Sequence, residues 1–337
     1  MGIKATLIPG DGIGPEIVTA TLHVLDAMGN PFDFDVKHAG ELTYKTEGFA
    51  FPEATKDSIR ERGLALKGPL GTPSGGGYRS ATVQMREEFQ LFANVRPSQS
   101  FVPGDRFHKD VDLVLVRENL QGLYASAEGY IPIGDDPHGV AFATAYNTKE
   151  EMLRILRYGF DLAHKRDGKR KVTVVHKSNI LKKLSGILVE ASNEIRGEYA
   201  DLTVEHEIAD AFGANLVVKP QYYDVIVTTN LFGDLFSDIS AVLVGRLGTA
   251  AGANYGKDAA IFEAVHGTAE DIAGKGIANP TSLLLSTVMM LNHAGIPDEA
   301  VRLEKAVKDT IRAGEMTGDI GGSLDTKGFV KAVIGRL

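Results

Sequence analysis

Residues 222–238 read Tyr-Tyr-Asp-Val-Ile-Val-Thr-Thr-Asn-Leu-Phe-Gly-Asp-Leu-Phe-Ser-Asp. A short apolar run, Val225–Thr228, is followed at once by Leu231, Phe232, Leu235 and Phe236, which recur at helical spacing. A doubly buried strand followed by a helix is the unit from which parallel sheets are built. Similar strand-like runs recur at Ala5–Ile8, Val111–Val116, Val172–Val175 and Ala260–Val265. Helix-period segments alternate with them: Pro15–Ala27, Lys149–Lys165, Ile180–Ile195 and Thr281–Ala294. In the second of these, Met152, Ile155, Leu156 and Phe160 share one face. The alternation predicts an α/β protein.

The 337 residues, 43% hydrophobic and 24% charged, exceed what one simple core needs, so two domains or one large insertion are expected. With a net charge of -8 and scattered Lys and Arg, the chain offers no nucleic-acid footprint. An anionic substrate would therefore need basic residues gathered in one pocket. The absence of cysteine excludes disulfides, thiolate catalysis, iron–sulfur clusters and zinc–thiolate sites. A strand opens at Ile3, which predicts no signal peptide, and no apolar run reaches the ~18 residues of a membrane span. A cytoplasmic or organelle-matrix protein is expected.

Residues 122–147 interrupt the pattern with a glycine-rich, polar stretch that predicts a β-hairpin or extended arm. Two readings stay open: an ordinary hairpin, or an arm that pairs with a partner subunit. Gly10-Asp11-Gly12-Ile13-Gly14-Pro15 follows a strand and opens a helix, but its spacing is not the dinucleotide G-x-G-x-x-G. A structural turn and a ligand loop read equally well there.

Arg86 lies in a helical segment, Arg96 ends the strand-like Leu91–Val95, and Arg117 ends Val111–Val116. Guanidinium groups at strand ends suit substrate carboxylates, with surface solvation as the alternative. Asp234 and Asp238 stand four apart, so a helix places both on one face. A hard divalent cation relieves their repulsion economically, with a solvated acidic face as the competing reading, which the apolar Leu231, Phe232, Leu235 and Phe236 weaken. Asp210 opens a further helix, where it reads equally as a cap or first-turn acid.

Six segments in order make the chain resemble the β-decarboxylating dehydrogenases of isocitrate, isopropylmalate, homoisocitrate and tartrate. They are LIPGDGIGPEI, MREEFQLFANVRP, VRENLQGLY, VHKSNILK, YYDVIVTTNLFGDLFSD and FEAVHGTAEDIAGKGIANP. The resemblance covers nearly the whole chain and is nearest to NAD-dependent isocitrate dehydrogenase. It implies Arg86, Arg96 and Arg117 as substrate-carboxylate ligands, Tyr124 as general acid and Lys177 as general base. It implies Asp210, Asp234 and Asp238 as Mg²⁺ or Mn²⁺ ligands, with Lys177 and Asp210 coming from the neighbouring subunit of a homodimer. Without it, Tyr124 reads as a core or hairpin aromatic and Lys177 as a solvated strand-end lysine.

The same resemblance assigns cofactor contacts to Ile13, Thr72, Glu263, His266, Gly267, Asp271, Ile272 and Asn279. Asp271 and Ile272 stand where NADP-dependent relatives carry Lys and Tyr. A carboxylate there accepts bonds from ribose hydroxyls and repels a 2′-phosphate, which implies NAD. Ser80 matches the serine that isocitrate enzymes set on the extra carboxylate. Thr82 replaces their usual Asn, and Gly71 replaces a Thr often found before Thr72.

The implied reaction is oxidative decarboxylation of isocitrate to 2-oxoglutarate, a step of the tricarboxylic acid cycle. Homoisocitrate and then 3-isopropylmalate are the alternatives, and a non-catalytic regulatory subunit is the rival from another class. The implied architecture is isocitrate/isopropylmalate dehydrogenase-like, with two α/β domains. Residues 1–96 and 246–337 would form the larger domain, and 97–245 the smaller one with its intersubunit β arm near 122–147.

Overall fold

The computed structural model describes residues 2–72, 77–166 and 168–337. In chain order it opens with β1 (Ile3–Ile8), α1 (Gly14–Met28), β2 (Phe32–Val36), α2 (Glu41–Glu47), α3 (Glu53–Arg62) and β3 (Leu64–Lys67). Next come α4 (Ala81–Glu88), β4 (Ala93–Gln99), β5 (Asp112–Glu118), β6 (Ala127–Ile133), β7 (Asp136–Thr144) and α5 (Lys149–Lys165). They are followed by β8 (Lys171–His176), α6 (Gly186–Ile195), β9 (Thr203–Ile208), α7 (Ala209–Val218), β10 (Val225–Thr228) and α8 (Asn230–Val244). The last elements are β11 (Ala251–Tyr255), β12 (Ala260–Ala264), α9 (Thr281–His293), α10 (Pro297–Arg312) and α11 (Thr326–Ile334). The α/β class read from the sequence holds.

Two compact units emerge: residues 1–91, 95–111 and 241–337, and residues 92–94 with 112–240. Residues 97–111, read from sequence as the start of the smaller domain, pack with the first unit because Phe101, Val102 and Phe107 join its apolar core. In that unit the strand order is β2-β1-β3-β12-β11-β4, with β2, β1, β3 and β12 parallel and β11 antiparallel to β12. α9 is buried nearly all round (Leu283, Leu284, Val288, Leu291). Pro15 starts α1 and Gly29, at φ 88°, ends it, the asymmetry expected of helix termini.

The second unit orders its strands β5-β10-β8-β9, all parallel, with Val225 beside Val114 and Val172. α5 lies on β10, β5 and β8. Thr148 caps it, and the predicted face of Met152, Ile155, Leu156 and Phe160 is buried. Gly159 permits this approach, since a Cβ there would stand 2.3 Å from Val227.

Two elements depart from their expected bounds. The helix expected from Ile180 begins at Gly186. The Leu181 amide bonds back to the Lys177 carbonyl, and Ser185 Oγ accepts from the Lys177 amide. That turn leaves Ile180 (68%) and Leu181 exposed. β4 runs to Gln99 rather than ending near Arg96. β6 and β7 form the expected antiparallel hairpin, with Tyr130, Ile131, Ile133 and Phe142 exposed. Among the described residues no helix is long and apolar enough to cross a membrane.

Candidate active site

In the second unit, Arg117 stands near the end of β5 and is 1% exposed. Its guanidinium pairs with Asp234, while Asn230 Oδ1 accepts from Nε at 3.1 Å and Nη2 at 2.7 Å. Gly233 makes room for this side chain, since a Cβ there would fall 2.5 Å from Arg117 Cγ. Tyr124 sits on a single 3₁₀ turn, Gly122–Ala125, and its phenol bonds to the other oxygen of Asp234. Burial, then the bond to Asp234 and its charge, raise the phenol pKa against the opposing Arg117, so the proton stays on oxygen at neutral pH. Asp238 lies one turn further along α8 and is exposed.

Lys177, just past β8, bonds to Asp210 in the first turn of α7. The bond from Lys177 is the main cause holding the Asp210 carboxyl below its usual value. Exposed apolar residues of this unit include Val217 and Val218 on α7, and Leu235 and Ile239 on α8.

In the first unit, Thr82, Arg86, Arg96, Glu263, His266 and Gly267 line one recess of about 170 Å³. Thr82 and Arg86 come together because they are four apart on α4. Ser80 is the N-cap of that helix, yet its hydroxyl makes no cap bond and meets Thr72 Oγ1 at 3.2 Å. Sequence reasoning missed Lys67, which ends β3 in the same recess, buried and paired with Glu263 at 2.6 Å. Its only sequence signal was a lysine closing an apolar strand before Gly-Pro. Burial alone would raise the Glu263 carboxyl, but the Lys67 and Arg86 charges prevail and hold it at about 2. Asn254 donates to its other oxygen at 2.6 Å.

The remaining expected cofactor residues belong to this unit as well. Ile13 donates its amide to the Thr268 carbonyl at 2.8 Å, and Gly12 permits the approach, since a Cβ there would meet that oxygen at 2.1 Å. Asp11 accepts amides from Glu41, Leu42 and Gly71, so the glycine motif ties together loops of its own chain. Asp271 and Ile272 lie on a 3₁₀ turn, Glu270–Ile272, with Asp271 exposed. Asn279 bonds to Asp319 and to the Thr281 amide.

Two observations test whether the expected groups fit. His266 Nδ1 faces the Gly267 carbonyl at 3.0 Å and must donate to it, which leaves Nε2 an acceptor. That Nε2 is buried, with no partner among the described residues, and burial lowers the imidazole pKa. An unmet acceptor beside Gly267 fits the hydroxyl of a nucleotide ribose. For a metal, no group of three His, Asp or Glu side chains forms among the described residues. Asp234 and Asp238 offer hard oxygen donors on one face of α8, a partial set that suits Mg²⁺ or Mn²⁺ once a further carboxylate is added.

Comparison with known proteins follows this geometry. Residues 4–333 match the family model described as isocitrate/isopropylmalate dehydrogenase. The probable isocitrate dehydrogenase [NAD] subunit alpha, mitochondrial, of Drosophila melanogaster is 40% identical over 99% of this chain and 87% of its own length. The 3-isopropylmalate dehydrogenase of Archaeoglobus fulgidus is 41% identical over 99% of each chain. The crystal structure of isocitrate dehydrogenase from Methylococcus capsulatus superposes with a TM-score of 0.95 at 48% identity, over 100% of this chain and 99% of that one. The chain therefore belongs to the isocitrate/isopropylmalate dehydrogenase family, oxidative decarboxylating dehydrogenases that use a nicotinamide cofactor and a divalent metal.

Proposed function

We propose that this chain catalyses the NAD-linked, Mg²⁺- or Mn²⁺-dependent oxidative decarboxylation of isocitrate to 2-oxoglutarate. The observation that carries the substrate choice is the first unit's recess, whose lining sets Lys67, Arg86 and Arg96 beside the carboxylate Glu263. Walls of that charge suit an extra carboxylate better than a branched alkyl group. The Ser80 hydroxyl, uncommitted to a helix cap, is available to donate to the same carboxylate. The acidic Glu270-Asp271 pair disfavours a 2′-phosphate and so supports NAD.

Arg86, Arg96 and Arg117 would bind the substrate carboxylates and orient the carbon that loses hydride. Asp234 and Asp238, with Asp210 of a neighbouring copy, would hold the metal, which when bound polarises the substrate hydroxyl and its adjacent carboxylate. His266 and Asp271 would hold NAD, which would supply the hydride acceptor. Lys177 of the neighbouring copy takes the hydroxyl proton. Loss of CO₂ leaves an electron pair at C3, and Tyr124 supplies the proton that closes it. The exposed apolar residues of α7 and α8, and the hairpin β6–β7, support a second copy of the chain as the partner.

The direct test offers isocitrate, homoisocitrate and 3-isopropylmalate in parallel, each with NAD or NADP and Mn²⁺. Preference for isocitrate with NAD, abolished by a chelator, is expected. Preference for 3-isopropylmalate would overturn the reading of the recess, and preference for NADP the role given to Asp271.

A further inference from the structure

We propose that Asn230 is a positioning residue for the acid Tyr124, one buried amide coupling the Arg117 guanidinium to the turn that carries the phenol. Asn230 is the first residue of α8 and is buried. Its Oδ1 accepts from Arg117 Nε and Nη2, at 3.1 and 2.7 Å, and its Nδ2 donates to the Gln121 carbonyl at 3.1 Å. Arginine can only donate and a carbonyl can only accept, so chemistry alone sets which way this amide faces.

The turn it reaches is held from its other side as well. Glu118, wholly buried, accepts the amides of Leu120 at 2.7 Å and Gln121 at 3.0 Å. The Gly122 amide bonds to the Tyr146 carbonyl at 2.9 Å, and Gly122 turns the chain at φ 77° into the segment bearing Tyr124. α8 thus grips this segment twice, Asn230 at its base and Asp234 at its phenol tip. The tip contact has to open when Tyr124 turns toward a substrate. The base contact involves no reacting atom, so it is the one that can hold the turn while the phenol moves. The acid role of Tyr124 rests on the function proposed above; the hold on its turn does not.

The informative variant is Asn230→Asp. It keeps the size and the acceptor for Arg117, but sets an unprotonated oxygen against the Gln121 carbonyl. Asn230→Ala removes both contacts. Hydrogen–deuterium exchange on the full-length protein reads the turn directly. In Asn230→Asp, amides of residues 119–126 should exchange about tenfold faster or more, with other segments unchanged. With isocitrate, NAD and Mn²⁺, kcat should fall about tenfold or more while KM stays within about threefold. Hydrogen exchange at C3 of 2-oxoglutarate in D₂O, with reduced cofactor and Mn²⁺, should fall in parallel. Asn230→Ala should add a rise in KM of about tenfold, because Arg117 loses the acceptor of its Nε and Nη2 and keeps only Asp234.

Exchange at 119–126 unchanged in Asn230→Asp overturns the proposal. So does a rise spread over the whole chain, which would make Asn230 a general structural residue. A local rise with kcat and C3 exchange intact would also overturn the positioning role. If the wild-type protein turns over none of the acids, the isocitrate reading fails, and local exchange still decides whether Asn230 holds the turn.

Discussion

Two ion pairs of the second unit, Arg117–Asp234 and Lys177–Asp210, share their chemistry and differ in setting. Arg117 is 1% exposed, packed over Gly233 and gripped by Asn230. Lys177 and Asp210 have side chains 26% and 71% exposed. The anchor is the guanidinium itself: Asp234 keeps 36% of its side chain exposed, but Arg117 and the Asn230 oxygen it donates to are buried, so loss of either leaves the other's polar atoms unmet away from water. An exposed pair is worth little and exchanges partners readily. A group that must take up a proton, or work in a neighbouring copy's site, belongs in the second setting.

The largest test of that contrast is Arg117→Met. We expect kcat/KM to fall about 10³-fold or more and denaturant unfolding to report a loss of about 2 kcal/mol, from the buried Asn230 oxygen left without its donors. Lys177→Met should lower kcat by about 10²- to 10⁴-fold while leaving stability within about 1 kcal/mol. Equal stability of the two variants would erase the distinction. Mixing denatured Lys177→Met and Tyr124→Phe chains and refolding them together tests the shared site. If Lys177 serves a neighbour, mixed dimers carry one intact site and activity returns to about a quarter of wild type. No recovery would place Lys177 in its own chain's site.

Two buried carboxylates extend the comparison with opposite signs. Glu263 has a folded-state pKa of about 2, below its ordinary 4.5, so its contribution to stability is present above 4.5 and lost as pH falls toward 2. Glu263→Gln should flatten that limb of the acid-unfolding curve, by on the order of 3 kcal/mol. Glu118 is raised to about 7, by burial first and against the amides of Leu120 and Gln121. Its ionisation therefore costs stability as pH rises from about 4.5 to 7. Glu118→Gln keeps an acceptor for both amides, so the melting temperature should rise by a few degrees at pH 8 and change little at pH 4. An equal shift at both pH values would show that the carboxyl is not the titrating group.

Much of the fold was legible because buried strands and one-sided helices leave local marks. Met152 through Phe160 predicted a face that is buried, and Val225–Thr228 predicted a central strand. The α6 start was misjudged because Ile180 and Leu181 keep helical spacing while their turn folds back on Lys177. In the candidate site, the four-residue spacing of Asp234 and Asp238 could be read directly. Tyr124 and Lys177 stood out only by resemblance. Asn230 was inside the quoted stretch and passed unremarked, because its meaning lies in Arg117, 113 residues away. Lys67 was missed for the same reason: nothing beside it in sequence announces Glu263.

By itself the sequence determined the α/β class, the helices that carry the two aspartates and Arg86, and the family to which the chain belongs. These follow from periodicity, spacing and motif order, which act over a few residues or survive as a linear pattern. Only the tertiary structure decided which charges are buried and what each one faces. Arg117 becomes an anchor and Lys177 a partly exposed base candidate, while Glu263 becomes a strong acid because Lys67, Arg86 and Asn254, brought in from distant elements, outweigh its desolvation.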